Sequence, residues 1–139
     1  MSGPVLRDLT DDERRAFLDA GRRVAVVATV RSDGRPHAAP VGFVTDGDDV
    51  LFLTGSSTVK PRNLGRDARV TVVVDEHDDP YRFVLIEGTA VLDHDPRVVE
   101  AIARRTWERY AGTAPPDARP VDEVSLRVRP VKVIARTHG

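Results

Sequence analysis

The fold is indicated most clearly by one stretch of the chain, Val24-Ala25-Val26-Val27-Ala28-Thr29-Val30. Valine and threonine are branched at Cβ and favour extended backbone, so the stretch is typical of a β-strand. Its apolar residues are nearly continuous instead of alternating with polar ones, which predicts a strand buried on both faces. The turn residues Ser32-Asp33-Gly34 follow shortly afterwards. We therefore expect the next strand to pair with this one.

The rest of the chain carries further strand patterns and three helical ones. A helix begins after Thr10, because Glu13 lies three residues later and completes a capping box. Another helix begins after Asp95, with Pro96 in its first turn. We predict strands over residues 24–30, 36–44, 50–54, 69–74, 81–92 and 124–135, and a short helix over residues 61–66.

Short connections between these strands predict antiparallel pairing. The turns around Gly34 and Gly47 join the first three strands into an antiparallel meander. Gly88 marks a bulge or bend in the long strand over residues 81–92. Helices do not alternate with the strands, which argues against a parallel, doubly wound sheet. We expect a single domain over residues 1–139 with a mainly β fold, a six-stranded antiparallel barrel with peripheral helices.

Length and composition exclude several classes of protein. The chain has 139 residues, a formal net charge of −1 and no cysteine. Disulfides, thiolate metal sites and a cysteine nucleophile are therefore excluded, and the near-neutral charge argues against nucleic-acid binding. The longest apolar runs fall far short of the roughly 20 residues that span a bilayer, and the N-terminus carries no secretory signal. We expect a cytoplasmic protein with no membrane partner.

Most sequence signatures of catalysis are absent. The four histidines are far apart and form no H-x-x-H or H-E-x-x-H pattern, so we predict no metal site. There is no G-x-S-x-G, S-x-x-K, P-loop or G-x-G-x-x-G motif either. An enzyme with this sequence must bind its reagent by another route, and no catalytic residue is assigned.

One polar segment has the chemistry of a phosphate site. A predicted strand ends at Thr54 and is followed by the hydroxyls of Ser56 and Ser57. Lys60 and Arg62 then lie at the start of a short predicted helix, and Lys60 is one of only two lysines among 21 basic residues. Hydroxyls, cations and the N–H groups of a helix N-terminus are what a phosphate needs, and a lysine suits a point contact. An ordinary capped loop with exposed charges has the same composition and stays open as the alternative.

These pieces occur in an order that resembles a known family. The chain is similar to the split β-barrel flavin and deazaflavin oxidoreductases of the pyridoxamine 5′-phosphate oxidase-like superfamily, above all to its small enzymes that use coenzyme F420. The matching residues, within about residues 20–110, are Val26-Val27-Ala28-Thr29-Val30, Asp33-Gly34-Arg35-Pro36, Ala39-Pro40-Val41-Gly42-Phe43, residues 46–54, Lys60-Pro61-Arg62-Asn63-Leu64, Asp67-Ala68-Arg69-Val70, Pro80-Tyr81-Arg82-Phe83-Val84 and Glu87-Gly88-Thr89-Ala90. The resemblance implies the FMN-binding split-barrel fold and an oxidoreductase.

The resemblance also implies where a cofactor and a partner subunit lie. It predicts a homodimer with two cofactor sites at the subunit interface and a small-molecule substrate. The expected reaction is hydride transfer between the reduced deazaflavin and an organic substrate. The residues expected to contact the cofactor are Lys60, Arg62 and Asn63 at its phosphate or tail, with Thr54, Ser56 and Ser57, and Pro40 and Val41 beside its tricyclic ring through their backbone.

Three residues are candidates for the substrate pocket, each with a simpler alternative. The imidazole of His37 is able to donate a proton near neutrality, and an exposed histidine on a strand is the alternative. Tyr81 and Arg82 follow an acidic loop and are expected to line the pocket, unless they are only the exposed start of a strand. A second pair of alternatives, contact with a partner subunit or packing on their own barrel, applies to Trp107, Arg109 and Tyr110.

Four functions stay open on the sequence alone. A deazaflavin-dependent reductase is favoured over an FMN-dependent oxidase or reductase, because FMN sites of this kind usually have further arginines and serines around the monophosphate. A flavin-binding or small-ligand-binding protein without turnover is the third. An oligonucleotide-binding barrel is the fourth, and an aromatic content of 5% argues against it because such barrels stack bases on aromatic side chains.

Overall fold

The described part of the chain comprises residue 3, residues 5–116 and residues 122–139 of a computed structural model. Its strands are β1 (Leu6–Asp8), β2 (Ala25–Val30), β3 (Pro36–Val41), β4 (Val44–Asp46), β5 (Asp49–Gly55), β6 (Arg69–Glu76), β7 (Asp79–Asp93) and β8 (Glu123–His138). Its helices are α1 (Asp11–Asp19), α2 (Val59–Arg66) and α3 (Pro96–Ala111). None of these three helices is long and apolar enough to cross a membrane.

All the described strands belong to one antiparallel sheet. Hydrogen bonding gives the order β3–β2–β6–β7–β8–β5–β4, and β1 pairs with the far end of β8. The sheet curls around one buried apolar cluster, which confirms the predicted mainly β fold, an antiparallel split barrel with peripheral helices. The prediction of six strands is too low, because eight occur in the described residues. The three-residue β1 is too short to show a sequence pattern, and residues 36–44 form two strands instead of one.

The predicted meander is wrong, because the chain leaves the sheet after Val41. β3 pairs with β2 and β4 pairs with β5, so the two halves of the predicted strand lie at opposite ends of the strand order. At the break, the Phe43 N–H donates to the Tyr110 hydroxyl at 3.0 Å, and the Phe43 carbonyl accepts from Arg109 at 2.9 Å. Side chains of α3 thus satisfy backbone groups that a neighbouring strand would otherwise satisfy.

The bulge predicted at Gly88 is confirmed. The register between β7 and β8 shifts between Glu87 and Gly88. A Cβ atom on Gly88 would lie 2.3 Å from the Arg129 carbonyl oxygen, so a larger residue requires the backbone to move. On β8 the extra residue is Val131, which is 76% exposed. The bulge therefore turns an apolar side chain towards solvent.

One face of β2 lies in the core and the other does not. Ala25, Val27 and Thr29 are buried, whereas Val24 and Val26 are 50% and 44% exposed. The prediction that this strand is buried on both faces is therefore wrong for the single chain. The continuous apolar run reflects a second face that the chain itself leaves open to solvent.

The ends of the helices follow local signals. Thr10 and Glu13 form the predicted capping box, each side chain accepting the other's backbone N–H. Gly21 follows α1 with a φ of 58°, as expected for a residue that ends a helix. Helix α2 begins two residues earlier than predicted, so Pro61 is its third residue instead of its first.

Candidate functional site

The candidate site lies where β5 ends and α2 begins. β5 is held between β4 and β8, and its last residue, Gly55, still pairs with β8. The chain then turns, and the Thr58 N–H donates to the Gly55 carbonyl at 3.1 Å. Helix α2 starts directly after this turn and is fixed to the barrel by two buried apolar side chains, Pro61 and Leu64.

The N-terminus of α2 is left open by its own residues. Thr58 stands at the capping position but caps nothing, because its hydroxyl donates instead to the Gly55 carbonyl at 2.7 Å. A cap normally accepts from the second or third residue of the helix, and here the third is Pro61, which has no N–H. The N–H groups of Val59 and Lys60 make no hydrogen bond within the described residues. They face an outside acceptor with the positive end of the helix dipole behind them.

Two cations in the first turn of α2 have no anionic partner within the described ranges. Lys60, which is half-buried, and Arg62, which is exposed, form no hydrogen bond or ion pair there. Elsewhere the arginines are neutralised locally: Arg14 and Arg15, for example, both bond to Asp48. The α2 cations are therefore available for an anion that is not part of the described chain.

The carboxylate that follows α2 does not neutralise these charges. The Asp67 carboxylate accepts from the Arg69 guanidinium at 2.7 Å and from the Arg69 backbone N–H at 3.1 Å. These hydrogen bonds lower the pKa of Asp67 to about 2. Asp67 is thus ionised and paired with Arg69, and the charges of Lys60 and Arg62 stay uncompensated.

The three predicted hydroxyls are in different situations. Thr54 lies 3.0 Å from the Thr58 hydroxyl, oxygen to oxygen. Ser56 donates its side-chain proton to the Asp122 carboxylate, so that proton is not free for a phosphate in this arrangement. Ser57 is exposed and makes no hydrogen bond within the described residues. Their roles in binding stay predictions.

Asn63 points into the barrel. Its side chain is 3% exposed, its amide nitrogen donates to the Thr29 hydroxyl at 3.0 Å, and its amide oxygen accepts from Arg66 at 3.2 Å. The same Arg66 group donates to the Val30 carbonyl at 2.7 Å. The side chain that was predicted to bind a cofactor is therefore already occupied at both ends by the protein.

His37 lies beside this buried network. It pairs with Thr29 in the register of β2 and β3, and its Nδ1 atom is buried without a hydrogen-bond partner in the described structure. The fold thus brings His37 next to the residue to which Asn63 bonds. Pro40 and Val41 lie further along β3, Pro40 exposed and Val41 packed against the core.

Tyr81 and Arg82 lie away from α2 within the chain. They precede Phe83, which pairs with Asp75, whereas the α2 end of β7 is near Thr89, which pairs with Arg69. Eight residues of strand separate Tyr81 from Thr89, a distance of about 25 Å. Tyr81 meets the His138 ring edge-on at 5.9 Å, and Arg82 lies 3.9 Å from the Glu76 carboxylate. Their place in a substrate pocket stays a prediction.

The residues at the end of α3 divide between the two alternatives. Arg109 donates to the carbonyls of Leu18 and Phe43 at 2.7 and 2.9 Å, so it packs on its own barrel. The Tyr110 hydroxyl likewise bonds within the chain. Trp107 is 38% exposed and makes no such contact.

The sequence analysis missed Thr29 and Arg66, which hold Asn63. Thr29 carried a signal, because it is the single hydroxyl in the apolar run of residues 24–30. Arg66 carried none, since its partners, Asn63 and the Val30 carbonyl, are set by how α2 packs. No three His, Asp or Glu residues within the described ranges are grouped so that they could hold a metal ion.

Comparison with known proteins connects this geometry to a family. The family model for pyridoxamine 5′-phosphate oxidase matches residues 10–136. The chain is 30% identical over 117 residues to the F420H(2)-dependent biliverdin reductase of Mycobacterium tuberculosis (strain CDC 1551 / Oshkosh), covering 83% of this chain and 82% of that protein. The solved structure of an F420 reductase matches at 28% identity and a TM-score of 0.72, over 85% of this chain and 94% of that one. An FAD-binding protein from Mesorhizobium loti shares the fold, with 22% identity and a TM-score of 0.72 over 96% of this chain and 97% of that one.

Proposed function

The chain is an oxidoreductase of the pyridoxamine 5′-phosphate oxidase family, and we propose that it transfers hydride from reduced coenzyme F420 to a small organic substrate. The observation that carries the proposal is the open N-terminus of α2 with its unpaired Lys60 and Arg62. Two relatives whose sequences align over most of the chain are F420-dependent reductases.

The residues present fit an anionic cofactor tail. The N–H groups at the start of α2 offer hydrogen bonds, and Lys60 and Arg62 offer charge, while Asp67 is already paired with Arg69. An anion placed there gains hydrogen bonds without displacing any described partner. Ser57, exposed beside them, is available as a further donor.

The chemistry and the positioning are divided between cofactor and protein. The reduced deazaflavin, when bound, supplies a hydride to the substrate. Lys60 and Arg62 hold the anionic end, and the edge of β3 at Pro40 and Val41 is proposed to lie beside the ring. His37 is the nearest imidazole on that strand, and it is the proposed source of a proton for the substrate.

FMN is the second candidate cofactor. Its terminal monophosphate has the charge that the same helix N-terminus and the same two cations would bind. The proposal favours F420 because two relatives with aligned sequences use it. A protein that binds a flavin or another small ligand without turnover is the remaining alternative.

Titration of the purified protein with F420 and with FMN, followed by fluorescence, tests the choice. We expect F420 to bind more tightly, and we expect organic acceptors to be reduced at the expense of reduced F420. Tighter binding of FMN transfers the proposal to the second cofactor. Binding of F420 without consumption of its reduced form over a broad set of acceptors supports the non-catalytic alternative.

We further propose that the chain forms a homodimer through the outer face of its sheet. Register partners place one apolar side chain on each of five successive strands, which we call the outer apolar row: Pro40, Val26, Val73, Leu85 and Ile134. Val131, turned out by the bulge, adds to this face. A strand sequence typical of burial on two faces, with one face open in the single chain, supports a second copy as the occupant.

Light scattering and sedimentation equilibrium over a range of concentrations test the dimer. We expect V26E to shift the protein to monomer while its circular dichroism stays unchanged, because a charge in the outer apolar row opposes burial. V5E is the matched control, since Val5 is 78% exposed and lies outside the row. A monomeric parent protein, or dissociation by V5E as well, contradicts the proposed interface.

A further inference from the structure

Asn63 connects the candidate site to the sheet. Its amide nitrogen bonds to Thr29 on β2, 34 residues away in the chain, and its oxygen bonds to Arg66 one turn further along α2. Arg66 in turn donates to the Val30 carbonyl at the end of β2. Three consecutive hydrogen bonds therefore join the helix that carries Lys60 and Arg62 to the strand beside His37.

The helix needs such a connection because it is short. With eight residues, α2 has little more than two turns, and isolated helices shorter than about 12–15 residues are barely stable. The buried Pro61 and Leu64 hold it on the barrel, but apolar contacts are non-directional and do not fix its rotation about its own axis. A hydrogen bond between two buried groups has directional limits and does fix it.

A small rotation of α2 would matter at the site. Side chains extend about 6 Å from a helix axis, so a turn of about 20° displaces them by about 2 Å. That displacement exceeds the range of about 0.5 Å over which an N–H···O contact keeps its strength. Lys60 and Arg62 would lose a bound anion even though the helix stayed folded and packed.

We propose that Asn63 is a positioning residue that sets the rotation of α2 through Thr29, so that Lys60 and Arg62 meet the anionic end of the cofactor, and that it does not touch the cofactor itself. This inference rests on the proposed function of α2 as the anion site. It replaces the sequence-based expectation that the Asn63 amide is a cofactor ligand. The evidence is its 3% exposure and the occupation of both ends of its amide by the protein.

A double-mutant cycle between Asn63 and Thr29 tests the proposal, with F420 and FMN as probes. T29V removes the hydroxyl that accepts from Asn63 while keeping the shape of the side chain, and T29S keeps the hydroxyl. We expect N63A and T29V each to weaken binding of the preferred cofactor about tenfold, as the loss of one buried hydrogen bond implies. The double variant is expected to bind no more weakly than N63A, and T29S is expected to bind nearly as well as the parent.

The outcomes separate positioning from direct contact and from a purely structural role. If N63A weakens binding but T29V does not, Asn63 contacts the cofactor directly and the proposal is overturned. If both variants lower the melting temperature but leave the dissociation constant unchanged, Asn63 only supports the fold, and the proposal is again overturned. All dissociation constants are measured at a temperature where circular dichroism shows each variant to be folded.

K60A and R62A keep the test distinct from the proposed function. If these variants bind F420 and FMN as tightly as the parent, the anion site itself is misplaced and the proposed function of α2 fails. If they weaken binding while N63A and T29V do not, the anion site stands and only the positioning role of Asn63 is rejected.

Discussion

The Tyr110 hydroxyl accepts the Phe43 N–H at 3.0 Å and donates to the Arg23 carbonyl at 2.6 Å. It thereby joins α3 to the break between β3 and β4 and to the residue that leads into β2. Gly42 lies against the same ring, and a Cβ atom there would come within 3.0 Å of it. One side chain thus fixes the point at which the barrel is split.

Removing this hydroxyl is expected to destabilise the protein. In Y110F the Phe43 N–H and the Arg23 carbonyl lose their partner while the ring is kept. We expect a loss of about 1–2 kcal/mol in the free energy of unfolding, measured by urea denaturation. Y81F is the control, because the exposed Tyr81 hydroxyl makes no hydrogen bond in the described structure. Equal effects of the two variants would show that the Tyr110 bonds contribute no stability.

Alanine is expected to have opposite effects at two glycines. G88A places a Cβ atom against the Arg129 carbonyl at the bulge, and we expect a loss of more than about 2 kcal/mol in the free energy of unfolding. G65A adds a methyl group to α2 where nothing lies within 4 Å. It should stabilise the protein by about 0.5–1 kcal/mol, because alanine favours helix over glycine. Similar results at both positions would contradict the close approach at Gly88.

Acid stability is expected to depend on Glu13. Hydrogen bonds from the Arg7 guanidinium and from the Thr10 backbone lower the pKa of Glu13 to about 2, from its ordinary value of 4.5. A lowered folded-state pKa contributes stability above the unfolded-state pKa, and this contribution is lost as the pH falls from about 4.5 to about 2. Melting temperatures of E13Q should therefore fall less over this interval than those of the parent. D78N is the control, since the Asp78 side chain is 93% exposed, and its profile should match the parent's.

The two lysines provide a matched pair for testing the charge at α2. Neither Lys60 nor Lys132 forms an ion pair in the described structure, but only Lys60 lies at the open helix N-terminus. We expect K60A to weaken F420 binding by about tenfold and to reduce its dependence on salt concentration, and we expect K132A to do neither. Fluorescence titrations at low and high salt measure both quantities. Equal losses in the two variants would indicate a general charge effect instead of a contact at α2.

Features that depend on neighbours in the sequence were predictable, and those that depend on distant contacts were not. The capping box of Thr10 and the bulge at Gly88 follow from signals within a few residues, and the structure confirms both. The break after Val41 was not predictable, because the residues that cause it are Arg109 and Tyr110 on α3, more than 60 residues away.

The candidate site shows the same division. The sequence placed Lys60 and Arg62 at the start of a helix after a strand, and the fold has them there. Sequence pattern did not predict the orientation of Asn63, because its amide is directed by Thr29, a residue on a strand from which it is separated by three intervening strands. An amide is equally suited to a ligand and to a buried network, and only packing decides between them.

The prolines of β3 have a consequence for the split itself. Pro36 and Pro40 pair with Val30 and Val26 of β2, and a proline has no N–H to donate, so at both positions the backbone nitrogen must point away from β2. That places them along the free edge, where a further strand would need an N–H donor at each. The free edge of β3 is therefore chemically unable to accept a strand in regular register. An opening in the barrel is maintained by covalent structure, independently of whatever ligand or subunit lies against it.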